Sequence, residues 1–142
     1  MAVKVSGVWQ GENVEIGRGT RFGAVVVIGD GSRIGWRCKI GHFVRLGEGC
    51  IIGNDVTIKD GCILAEGTVV GDHSFIGPNS VSIREQRKGA VGPKLGAGVF
   101  VGASCVVGAD IEDGIYLGAN SFVNRPLTSG ACFAGSPARR LR

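Results

Sequence analysis

The sequence predicts an all-β chain wound as a parallel solenoid, and three observations carry that prediction. Eleven apolar residues stand at unbroken six-residue intervals: Ile16, Phe22, Ile28, Ile34, Ile40, Leu46, Ile52, Ile58, Leu64, Val70 and Ile76. All but Ile58 and Leu64 are followed directly by glycine. Two residues ahead of the main positions runs a second series of small or β-branched side chains, among them Thr20, Val26, Ser32, Cys38, Val44, Cys50, Val56, Cys62, Thr68 and Ser74. Residues two apart on a strand face the same way, so both series point inward. A period of six matches neither a helix nor an isolated amphipathic strand; it is the repeat of a solenoid with one short strand per hexad.

Taken in order, residues 8 to 82 make about four coils of three hexads. With eighteen residues per coil, Ile16, Ile34, Ile52 and Val70 stack on one face. Phe22, Ile40, Ile58 and Ile76 stack on a second, and Ile28, Leu46 and Leu64 on a third. Coils then lie about 4.8 Å apart. The register breaks between Ser82 and Leu95, where the polar, basic segment 83–94 cannot fill the core and is expected to protrude as a loop, the place where function concentrates. The repeat resumes at Leu95, Val101 and Val107, slips by two residues, and recovers at Leu117 and Val123. Residues 126–142 lose the pattern and are expected to cap the solenoid or fold back on it. The expectation is one domain over 1–142, of about six coils.

Bulk properties exclude several classes. Of the 142 residues 26 are glycine and only four proline, without a triplet period, so the chain is not collagen-like. No apolar run approaches the ~20 residues of a membrane span, and the start, Met1 to Ser6, lacks the apolar stretch of a signal peptide. No membrane and a cytoplasmic location are the expectations. Five cysteines without a secretory signal read as free thiols. Cys38, Cys50 and Cys62 fall on three different faces, which speaks against a shared metal site. The net charge of +4 suits an anionic ligand, and with aromatics at 6% no nucleic-acid partner is expected.

The coil frame also places polar residues beside each other. His42 lies under Asp60, a general-base pair if the acid orients the imidazole; the alternative is a tolerated Gly-His corner. His73 lies over Asp55, which lies over Arg37, either a second candidate base or a surface ladder of small energetic effect. Glu12, Asp30, Glu48 and Glu66 form a column of like charge at one corner: a solvated edge, a cation site, or a surface met by basic residues of another subunit. Two histidines on different corners exclude a three-histidine metal centre, and no metal is expected.

The [Ile/Leu/Val]-Gly-x4 run resembles the hexapeptide-repeat acyltransferases over nearly the whole chain, closest in feel to the sugar N/O-acetyltransferases. Residues 92–103, GPKLGAGVFVGA, are similar to the stretch after their acceptor loop, Leu117 to Val123 to their last coil, and 134–141, AGSPARRL, to their Gly-x-Pro-Ala-basic ending. The resemblance implies a left-handed parallel β-helix, a homotrimer, and acetyl-CoA as co-substrate in a groove between subunits. It implies acetyl transfer to an amine or hydroxyl of a small acceptor, such as a nucleotide-linked amino sugar. His42 with Asp60 would be the catalytic base, with His73 as the alternative. Lys94, Arg139 and Arg140 would meet CoA phosphates, backbone N–H groups near Gly96, Gly102 and Ala103 would align the pantetheine arm, and Arg84, Arg87 and Lys88 would line the substrate loop. The alternative function is a non-catalytic trimeric β-helix used as a scaffold or binding module.

Overall fold

The computed structural model describes residues 3–5, 7–85 and 87–142. Met1, Ala2 and Ser6 of the N-terminal stretch and Gln86 of the insert lie outside the described residues. Among the described residues every regular element is a strand of two or three residues. The brevity follows from the hexad: two extended residues carry one inward side chain, and four more turn the chain through a corner.

The strands form three sheets. Sheet A stacks β2 (Val8–Gln10), β5 (Val26–Ile28), β8 (Arg45–Leu46), β11 (Ile63–Leu64), β14 (Val81–Ser82), β17 (Val106–Val107) and β19 (Phe122–Val123) in parallel, with β1 (Val3–Val5) added antiparallel at one end. Sheet B stacks β3 (Glu15–Ile16), β6 (Arg33–Ile34), β9 (Ile51–Ile52), β12 (Val69–Val70) and β15 (Lys94–Leu95). Sheet C stacks β4 (Arg21–Phe22), β7 (Lys39–Ile40), β10 (Thr57–Ile58), β13 (Phe75–Ile76), β16 (Phe100–Val101), β18 (Tyr116–Leu117) and β20 (Cys132–Ala134), closed by antiparallel β21 (Arg139–Arg140). The pairing register is the expected eighteen: Ile34 pairs with Ile52, and Ile58 with both Ile40 and Ile76. The result is a parallel β-solenoid consistent with a left-handed β-helix.

The solenoid has about seven turns, not six. The difference arises at the ends. Val8–Gln10 opens a turn before the hexad run begins, and Cys132–Ala134 pairs onto β18 where the tail had lost its pattern. The tail itself folds back as a hairpin, with Phe133 and Ala138 buried. The insert leaves from the A/B corner and returns to it, Gly92 N–H donating to the Glu66 carbonyl and Val69 N–H to that of Pro93. The two-residue slip shortens the same corner one coil later, where Ile111 bridges Leu95 and Leu127.

Nine of the eleven hexad positions are buried; Ile16 is 37% exposed and Phe22 half-buried. Both sit on the first strand of their sheet, where no earlier coil covers them. The glycine after each inward residue answers to coil stacking: a Cβ on Gly29 would stand 2.5 Å from the Glu48 nitrogen of the next coil. The second inward series has a further role. Ser32, Ser74 and Ser80 donate to the carbonyls of Gly47, Gly96 and Gly102 at 2.8–3.0 Å, and Cys38 and Cys62 lie at 3.0 and 3.1 Å from those of Gly53 and Gly77. A small side chain that donates one hydrogen bond is therefore suited to this position, since it satisfies a carbonyl that the core would otherwise bury unpaired.

Corners need a residue at positive φ, and this chain uses non-glycine residues there, including Asn13, Arg37, Asp55, His73, Asn79 and Asn120. Asparagine tolerates that region; a β-branched residue does not. Val25, at φ 59° and half exposed, is the strained case. Val25→Asn is expected to raise unfolding stability by about 1 kcal/mol, measured by chemical denaturation against wild type.

Candidate active site

Stacked coils put each corner side chain over the backbone of the coil before it. Several use that position to accept a backbone N–H: Asp30 from Glu12, Asn54 from Trp36, Asp72 from Asn54, and Asp113 from Ala97, all at 2.8–2.9 Å. His42 and Asp60 belong to this series. Asp60 Oδ1 accepts from the backbone N–H of His42 at 2.8 Å, and the His42 Nδ1 accepts from the backbone N–H of Ala24 at 2.7 Å. The expected neighbours are neighbours, but the expectation that Asp60 orients the imidazole is corrected: the carboxylate holds main chain. With Nδ1 committed as acceptor, the neutral ring carries its proton on Nε2. Held so, the ring offers a donor rather than a lone pair.

The other histidine is arranged differently. Arg37 donates to both oxygens of Asp55 at 2.8 Å from Nε and from an amino nitrogen, and His73 Nδ1 stands 3.9 Å from Asp55 Oδ2. All three residues occupy the positive-φ position of the B/C corner, at φ 56°, 57° and 61°. The bidentate hydrogen bonds from Arg37 are the main reason that the Asp55 carboxyl sits below its ordinary range. It stays ionised and faces the Nδ1 edge of His73, whose Nε2 edge remains open; the His73 side chain is 71% exposed. This is the arrangement that supports an imidazolium formed by proton abstraction.

The loop and tail cations are partly engaged within the chain. Arg84 lies 3.8 Å from Glu66, Arg87 pairs with Glu85, and Lys88 is exposed. The loop thus crosses the top of the acidic column at Glu66, and a groove of about 540 Å³ runs between that column and sheet A, bordered by Arg45, Ile63 and Arg84. Among the described residues no three His, Cys, Asp or Glu converge on a metal position. Lys94 points outward from β15; Arg139 and Arg140 are exposed on β21, with Arg140 donating to the Ser129 carbonyl at 2.9 Å. The Gly96 and Gly102 N–H groups donate to the Ile111 and Leu117 carbonyls of the next coil, so the expectation that they are free for a ligand is corrected: the parallel ladder uses them. Ala119 stands over Gly102 as Asp113 stands over Gly96, and where Asp113 accepts from the Ala97 N–H, the Ala119 side chain has no acceptor to offer Ala103.

Burial pushes the Cys50 and Cys62 thiols up to about 11, and those of Cys38 and Cys105 upward as well. Held protonated and out of solvent, they pack as small core groups. On brief treatment of the folded protein with iodoacetamide, Cys132, half-buried, is expected to be the only cysteine alkylated, as read by mass spectrometry.

Sequence reasoning missed one feature. Phe75, Phe100 and Tyr116 stack on the outer face of sheet C, with ring centroids 4.8 and 4.6 Å apart and planes within 5°. They are 25 and 16 residues apart, because the insert lengthens one coil and the slip shortens the next. Carrying the register through both irregularities would have aligned them.

With this geometry, the comparisons with known proteins converge. The family described as "Bacterial transferase hexapeptide (six repeats)" matches residues 13–48 and 49–81, and "Hexapeptide repeat of succinyl-transferase" matches 94–125. The chain belongs to the hexapeptide-repeat transferases. Among solved structures, the acetyltransferase domain of PglB from Neisseria gonorrhoeae FA1090, in complex with acetyl coenzyme A, is similar at 26% identity and a TM-score of 0.73; the match covers 95% of this chain and 55% of that one. The chain thus spans little over half the length of that domain. A serine-to-threonine mutant of AntD, an N-acyltransferase from Bacillus cereus, in complex with dTDP and coenzyme A, shares the fold at 18% identity and a TM-score of 0.79, covering 93% of this chain and 83% of that one. Curated protein sequences give no significant match. No helix among the described residues is long and apolar enough to cross a membrane.

Proposed function

We propose that this chain is an acyltransferase that moves an acetyl group from acetyl-CoA to the amine of a small acceptor, an amino sugar carried on a nucleotide. The observation that carries the reading is the match of nearly the whole chain, at 26% identity, to an acetyltransferase domain in complex with acetyl coenzyme A.

His73 serves as the general base in this reading, in place of His42. Its Nε2 takes a proton from the acceptor's ammonium or attacking amine, with Asp55, fixed by Arg37, stabilising the imidazolium. The amine nitrogen forms a bond to the thioester carbonyl carbon. The C–S bond breaks, and the CoA sulfur leaves and recovers a proton. The Ala103 N–H is suited to hold a carbonyl of the pantetheine arm or the developing oxyanion. Lys94, Arg139 and Arg140 are suited to the CoA phosphates, and Arg84, Arg87 and Lys88 to the acceptor side.

A homotrimer is part of the proposal. Support comes from the outward positions of sheet A, where Trp9 and Val27 on one side of the exposed Arg45, and Ile63, Val81, Val106 and Phe122 on the other, give an apolar surface along the solenoid. Such a surface faces water at a cost that a second copy would remove. Five free cysteines fit a reducing, cytoplasmic setting.

The test is release of CoA thiol from acetyl-CoA in the presence of a panel of nucleotide-linked amino sugars. Acceptor-dependent thiol release supports the reading. Its absence across the panel, with acetyl-CoA bound, contradicts it.

A further inference from the structure

On the sheet faces and at the B/C corner of this solenoid, stacked charges alternate in sign with one exception; the acidic column of the A/B corner is a separate case. Glu15 lies 3.9 Å from Arg33, and Arg37 is bonded to Asp55, which faces His73. On sheet C the rule fails. Arg21 is in register with Lys39 on the adjacent strand, both exposed, with no carboxylate between them. Two like charges about one strand spacing apart repel, and no ion pair within the described chain relieves them.

The exception sits in a concavity. A groove of about 350 Å³ is lined by Arg21, Lys39, Lys59, His42 and Asp60 together with neighbouring backbone, so three cations face one carboxylate. Asp60 already spends Oδ1 on main chain. Lys59 stands where nine of the eleven hexads have glycine, and its Nζ lies 6.0 Å from the centre of the Phe75 ring. Phe75 begins the aromatic stack, which runs through Phe100 to the half-exposed Tyr116. The face is therefore cationic over its first coils, aromatic over its later ones, with a lysine at the junction. Lys39 and Phe75 are two coils apart, about 10 Å.

We propose that the outer face of sheet C binds a nucleoside diphosphate group, its phosphates on Arg21, Lys39 and Lys59 and its base against the edges of the Phe75–Phe100–Tyr116 stack. Charge-assisted hydrogen bonds to phosphate suit the first part, and edge-to-face aromatic packing suits the second. This deepens the acyltransfer reading, since both a nucleotide-linked acceptor and CoA carry a nucleotide with a diphosphate. The test reads binding and not turnover, so the site stands or falls separately from the reaction.

The intact protein is titrated calorimetrically with UDP, dTDP and CoA, as wild type, as Arg21→Gln/Lys39→Gln, and as a control Arg33→Gln on sheet B. Wild type is expected to bind, the double variant at least tenfold more weakly and with a shallower salt dependence, and the control like wild type. Loss confined to UDP or dTDP assigns the site to the acceptor; loss confined to CoA assigns it to the co-substrate. The single variant Lys39→Gln repeats the test if melting shows the double variant to be unstable. Affinity unchanged in the charge variants, or no binding of any of the three to wild type, overturns the proposal.

Discussion

Replacing His73 with asparagine is expected to lower the turnover of acetyl transfer by about 10²- to 10⁴-fold, the usual contribution of a positioned base, while acetyl-CoA affinity stays within about twofold. Asparagine is the informative choice because the corner demands positive φ, and Asn79 and Asn120 already occupy the equivalent corner position at φ 59° and 58°. The variant thus removes the imidazole and keeps the backbone. Asp55→Asn is expected to reduce turnover less, since it leaves the ring in place and removes only its charged neighbour. The same pair has an acid signature. The Asp55 carboxyl is held below its ordinary 3.8 chiefly by its hydrogen bonds to Arg37, so the stabilisation it gives is present above that value and is lost as pH falls through the lower, folded-state value. Wild type and Asp55→Asn should therefore converge in melting temperature at strongly acid pH and differ most near neutrality. Equal turnover in His73→Asn and wild type would remove the base assignment.

Ile58→Ala is expected to destabilise the fold by about 2–5 kcal/mol. Ile58 is fully buried and sits between Ile40 and Ile76 on consecutive coils of sheet C. In a solenoid each coil contacts only its neighbours, and a central void has stacked side chains above and below that cannot collapse into it independently. The comparison is Ile16→Ala, at the uncovered first strand of sheet B and already 37% exposed; the loss there is expected to be roughly 1 kcal/mol or less. Denaturant midpoints measured side by side give the difference. Equal losses at the two positions would mean that the hexad residues do not share the stacked core described here.

How far the sequence could be read depended on the regularity of the coil. Between residues 8 and 82 the eighteen-residue frame paired Ile34 with Ile52, and it placed Asp55 beside both Arg37 and His73. It also sent Cys38, Cys50 and Cys62 to three different faces, and they lead into β7 of sheet C, β9 of sheet B and β11 of sheet A. What it could not resolve was which atoms meet. His42 and Asp60 are neighbours by register, yet the carboxylate bonds main chain and the ring accepts from Ala24, because a short corner side chain reaches the backbone of the coil before it more readily than it reaches the next side chain. The availability of the Gly96 and Gly102 N–H groups failed for a related reason: a parallel ladder consumes those donors one coil on. The aromatic stack was hidden by an arithmetic break, spacings of 25 and 16 where the frame expected 18. Loop ion pairs such as Arg84 with Glu66 depend on where the insert returns to the solenoid, which no hexad position specifies.

The reading of this solenoid as a transferase rests on one co-substrate. Calorimetric titration of acetyl-CoA into the intact wild-type protein tests it most directly. The account predicts saturable binding at one equivalent per chain, retained in His73→Asn. A flat titration up to millimolar acetyl-CoA would contradict it and leave a hexapeptide-repeat scaffold without this chemistry.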